Sequence, residues 1–83
     1  MNIHIKRANA AAAFLTGRGI PEEDVLSLDV AKDSVRLHIY GAPLSGVSWE
    51  TKRVGEHDHH HADVFQDGVV LHLVTVTVAE VAA

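Results

Sequence analysis

His57, Asp58, His59, His60, His61 and Asp63 fall within one short stretch, the densest run of ligand-type side chains in the chain. Side chains alternate across an extended backbone, so His57, His59, His61 and Asp63 are expected on one side. Three imidazoles and a carboxylate suit a borderline ion such as Zn, Ni or Cu. A small metal-binding protein using these four residues is therefore one reading. A metal site also needs a second shell that holds each ring in place. Local spacing does not supply one, and a solvated hairpin loop rich in His and Asp is the favoured reading. His72 is the other residue with chemistry to offer. It stands among valines in mid-strand and reads as a core or interface histidine. Pairing of residues about 59–65 back across Asp67-Gly68 would bring it toward His61 and its neighbours.

Nucleophilic chemistry has little to stand on. The chain has no cysteine. Ser27, Ser34, Ser45 and Ser48 lie in no glycine-flanked elbow. Gly17-Arg18-Gly19 lacks the Lys-Ser/Thr that completes a phosphate loop. Glu22, Glu23 and Asp24 follow Pro21 and solvate a segment start. The expectation is a protein that is not an enzyme and carries no cofactor.

Binding residues are easier to find. Arg36, His38 and Tyr40 alternate with Val35, Leu37 and Ile39, which puts them on the wet face of a strand. Exposed aromatics and arginine are enriched at interface hot spots. Trp49 reads as the largest core side chain. The run Val69–Val78 is β-type throughout, and both of its faces are apolar over most of their length. Val70, Val74, Val76 and Val78 share a side with His72, and this side is expected to meet the helix. Val69, Leu71 and Leu73 share the other, which one helix cannot also cover. A protein partner or a homodimer would cover it, so Arg36, His38, Tyr40, Val69, Leu71 and Leu73 are the expected interface.

The elements that position these residues follow from periodicity. Residues 2–6 are ambiguous: Ile3 and Ile5 alternate with His4 and Lys6, as in a short strand. From there RANAAAAFLT predicts a helix over about 6–16, with Ala8, Ala11, Ala12 and Leu15 on one face and Phe14 beside it. Gly17 and Gly19 stop it. Leu26, Leu28 and Val30 pair with Val35, Leu37 and Ile39 as a hairpin around Ala31-Lys32-Asp33-Ser34. GAPLSG at 41–46 is a loop. Val47–Val54 reads as a strand with Val47, Trp49 and Thr51 inward, and a helix is the competing reading there. Asp67-Gly68 between two β-type runs is the strongest short-range hairpin signal in the chain. Residues 79–83 are expected to fray or to extend the last strand. The predicted fold is α+β: one N-terminal helix packed on a mostly antiparallel four- to five-stranded sheet, as a single domain over 1–83.

Bulk properties narrow the function classes. Eighty-three residues allow one modest core, and the formal charge is −4 with neutral histidines. That balance argues against a nucleic-acid groove and an anionic membrane surface. Protonating all seven histidines would take the charge to +3, across the ordinary histidine range near pH ~6.5. No apolar run reaches the ~18 residues of a membrane helix. The start MNIHIKRANAAAAFLTG has a basic pair before alanines, but Asn9 breaks the apolar part, so it reads as part of the domain and not as a signal peptide. Lack of cysteine fits a cytoplasmic protein.

Two resemblances bear on this. His59-His60-His61-Ala62-Asp63 resembles the first part of the HxHxD motif of the metallo-β-lactamase superfamily. Val64 stands where that motif continues with histidine, and 83 residues are too few for the αββα sandwich, so no ligand carries over. The order of an Ala-rich helix, GIPEEDVLSLDVAKDSVRLHIYG, a Trp segment and DGVVLHLVTVTV resembles small uncharacterised proteins of high-GC actinobacteria and their bacteriophages. That resemblance is one of pattern and implies a protein that binds another protein, such as a phage product that binds a host protein.

Overall fold

The computed structural model describes residues 3–31 and 34–78. The chain folds as helix α1 (Ile3–Gly17), a 3-10 turn at Glu22–Asp24, and strands β1 (Val25–Val30), β2 (Val35–Ile39), β3 (Glu50–Val54), β4 (His57–Gln66) and β5 (Val69–Val78). The strands form one sheet in the order β1-β2-β5-β4-β3. All pairings are antiparallel except β2 with β5. This is a small α+β fold with a mixed, mostly antiparallel sheet, in line with the sequence. The parallel pair arises because the chain leaves β2, builds the β3–β4 hairpin, and only then returns along β2.

Helix α1 begins at Ile3, so the strand-like alternation at its start is overridden. Ile3 and Ile5 are about half exposed and pack into no sheet. The buried stripe is Ala10, Ala11 and Phe14. Ala12, expected inward, is exposed, and the covered face is rotated toward Ala10. Two small residues there let the helix backbone lie close on the sheet. Its C-terminus is a Schellman motif: Ile20 N–H donates to Leu15 O (2.9 Å) and Gly19 N–H to Thr16 O (3.1 Å). Gly19 supplies the left-handed turn at φ 67. It is thus Gly19, and not Gly17, that ends the helix.

Register is set by two tight turns. Asp67 (φ 52) and Gly68 (φ 77) both have positive φ, the type I′ pattern that matches strand twist. They close β4 on β5 with Gln66 opposite Val69. Gly55 (φ 61) opens the two-residue turn that closes Val54 on His57. The first hairpin closes with Ala31 N–H donating to Ser34 O at 2.8 Å. Lys32 and Asp33 of the expected turn, and residues 79–83, lie outside the described residues.

The core lies between α1 and one face of the sheet. Val35, Leu37, Leu71 and Leu73 are fully buried there, joined by Ile39, Ala62 and Val69. Each buried leucine contributes roughly 1.5–3 kcal/mol by leaving water. The loop before β3 closes one side. Leu44, Val47 and Trp49 pack on this core. Trp49 Nε1–H donates to Leu44 O and Arg18 Nη1–H to Ser45 O, both at 2.9 Å.

This arrangement reverses one expectation. Val69, Leu71 and Leu73, read as the face awaiting a partner, lie beneath the helix. The face with Val70, His72, Val74, Val76 and Val78 is the uncovered one. The reason is the company each face keeps. Val35 and Leu37 of β2 pair with Leu71 and Leu73, and Ala62 and Val64 of β4 flank the same pair. The opposite face carries Arg36, Asp63 and the histidines, so the helix covers the continuous aliphatic side.

Candidate functional site: the uncovered sheet face

Residues opposite one another on paired strands share a face. The pairings therefore lay out the uncovered face row by row. One row reads Asp29, Arg36, His72 and Asp63 across β1, β2, β5 and β4. The next reads Ser27, His38, Val74, His61 and Glu50. Beyond it lie Val76, His59 and Lys52, and then Val78, His57 and Val54. Toward the Asp67-Gly68 turn the face ends on Val70 and Phe65. Five of the seven histidines stand on this face, around a central column of valines.

The sequence-predicted residues sort cleanly. His57, His59, His61 and Asp63 do share one side, as alternation required. They follow one another along a strand that rises ~3.3 Å per residue, so alternate side chains start ~6.6 Å apart. Among the described residues, no three His, Asp or Glu side chains are placed to hold a metal ion. Arg36 is exposed, His38 half-buried and Tyr40 68% exposed, all on the polar side of β2 and its end.

The contact His72 makes is to Asp63, directly opposite it. His72 Nδ1–H donates to Asp63 Oδ1. Both side chains remain well exposed, at 44% and 62%. The carboxylate fixes which way the ring faces. A shallow hollow of about 320 Å³ adjoins His72, lined also by Asp29, Ser34 and Arg36. A second, of about 360 Å³, lies beside Trp49 and is lined by Glu50, His61 and Asp63. Pairing across the Asp67-Gly68 turn was expected to bring His72 toward His61 and its neighbours; the residue it meets is Asp63, while His61 stands opposite Val74. The same count, carried through from Gln66 opposite Val69, would also have put the histidines and the valines on one face.

The remaining members of the histidine run face the other way. His60 stands between Thr51 Oγ1 and Thr77 Oγ1, each 2.8 Å from a ring nitrogen, with its ring edge-on to Trp49 at 6.5 Å between centroids. Arg53 Nε–H donates to Asp58 Oδ1 at 2.8 Å. These contacts stitch β3, β4 and β5 together where the strands run toward Val54 and Val78. His60 is thus a structural histidine within a run that looked uniform. Sequence reasoning gave it no role, and only its threonine neighbours across the strands, visible once register is known, identify one.

No family model, no curated protein and no solved structure matches this chain.

Proposed function

We propose that the protein is a non-enzymatic binding module that docks another protein on its uncovered sheet face. The observation that carries this reading is the second face of β5. Its valine column lies in the middle of a five-stranded sheet, with no helix or strand of the described residues above it. Phe65 and Val78 stand at the ends of the same face, 78% and 73% exposed. A sheet face of this kind, apolar along its centre and polar at both sides, has the layout of an interface: a desolvated core with a charged and imidazole rim. Arg36, His38 and Tyr40 extend that rim past β2.

The binding reading is favoured over a metal centre because the histidines alternate with open space and do not converge. It is favoured over catalysis because the Asp63–His72 pair stands on an open sheet surface without an adjoining enclosed pocket among the described residues. The test is a pull-down comparing the wild type with a Val74→Glu, Val76→Glu double variant, both shown to be folded by circular dichroism. Proteins retained by the wild type and lost by the variant are the expected result. Retention that is identical for both, or nothing retained by either, would remove the proposal.

A further inference from the structure

The two edges of the sheet differ in kind. On β3 every residue is exposed, and three of five are charged: Glu50, Lys52 and Arg53. Charges of this density keep other strands away from an edge. On β1 the only charge is Asp29. Leu26 and Leu28 are 55% and 43% exposed there, despite lying in a strand. A bulge near Val25 leaves Ser27 to Val30 in regular register. Between β1 and α1 runs a groove of about 570 Å³ lined mainly by Ala12, Leu15, Ile20, Val25 and Leu28. An edge with free backbone groups beside an apolar groove is a template for an added strand.

We infer that β1 is a homodimer edge, pairing antiparallel with β1 of a second copy across a two-fold axis to make one continuous ten-stranded sheet. The occupant is chosen by charge. Glu22, Glu23 and Asp24 lead into β1 at one end. Arg7 lies at the other end, where its Nη1–H donates to Ala31 O at 2.8 Å. Antiparallel pairing sets the acidic entry of each copy beside the Arg7 end of its partner, twice. Parallel pairing would set acids against acids. The two-fold pairing also closes on itself, whereas β1 against the charged β3 of another copy would propagate without end. It covers Leu26 and Leu28 and brings the two apolar grooves together between two helices on the same side of the sheet. This surface is separate from the uncovered face, so the two proposals stand or fall independently.

Analytical ultracentrifugation of the full chain over a concentration series tests it. The wild type is expected to show a reversible monomer–dimer equilibrium. Leu28→Lys, and separately Leu26→Lys, should weaken the dimer at least about tenfold while keeping the wild-type circular dichroism. Both positions are exposed enough for the monomer to fold. Glu23→Arg should weaken it too, and adding Arg7→Glu to that variant should recover part of the loss. A strict monomer at every concentration overturns the inference. So does a dimer that survives both lysine variants, or one abolished by Val74→Glu but not by Leu28→Lys.

Discussion

The two faces of β5 are built from nearly the same residue types and have opposite fates. Leu71, Leu73 and Thr75 on one side are fully buried, while Val70, Val74 and Val76 on the other are only partly so. Hydrophobicity along the strand therefore does not decide which side becomes core. The neighbours decide it: β2 and β4 offer aliphatic partners to one face, and arginine, aspartate and histidine to the other. The energetic consequence is that one face carries most of the stability and the other contributes little to it.

The largest break in that comparison comes from the buried side. Leu71→Ala should lower unfolding stability by about 2–5 kcal/mol. Phe65→Ala on the uncovered face should stay within about 0.5 kcal/mol. Urea unfolding of both variants checks this, and similar losses at the two sites would mean that the uncovered face is covered in solution. A domain this small has a total stability of only ~5–15 kcal/mol, so the leucine variant is expected to lie near its unfolding threshold.

What separates the faces is register, and Gly68 helps to hold it. A one-residue slip would send every β5 side chain to the other face. Gly68→Ala places a Cβ at φ 77 and should cost about 1–2 kcal/mol, read as a lower melting temperature. An unchanged melting temperature would mean that the turn is not what sets the pairing.

Thr75 sharpens the comparison from inside the core. Its hydroxyl is fully buried, with no hydrogen-bond partner among the described residues. Thr75→Val keeps the shape and removes the unsatisfied group, so it should stabilise the fold by about 1 kcal/mol. Loss of stability in the same urea experiment would show that the hydroxyl has a partner after all. A further small effect belongs to the exposed pair. Asp63→Asn should cost less than about 1 kcal/mol, because a side-chain contact this open is well solvated. A larger loss by thermal unfolding would mark the uncovered face as part of the stabilising structure.

Much of this was legible before any coordinates. The helix followed from alanine content, β1, β2 and β5 from period-two alternation, and the β4–β5 hairpin from Asp67-Gly68. The histidine run, expected as a solvated loop, is instead the body of β4, and the expected strand over Val47–Val54 begins only at Glu50, with Thr51 exposed. The grouping of His57, His59, His61 and Asp63 followed from alternation alone. The start of α1 is ambiguous in the sequence, because Ile3-His4-Ile5-Lys6 alternates as a short strand would and fits equally well in a helix turn that faces water. The identity of the open face was misread because both sides of Val69–Val78 are apolar, and a single strand carries no record of its neighbours.

The sequence by itself determined the element types, the tight turns and which side chains travel together. These depend on backbone preference and on a fixed alternation, both local properties. Only the tertiary structure decided that β2 joins β5 in parallel, that Leu71 and Leu73 are the core, and that the histidines share an open face with the valines. Those outcomes depend on which strands become neighbours. That choice is made by burying the most aliphatic surface under one helix, and no single segment contains it.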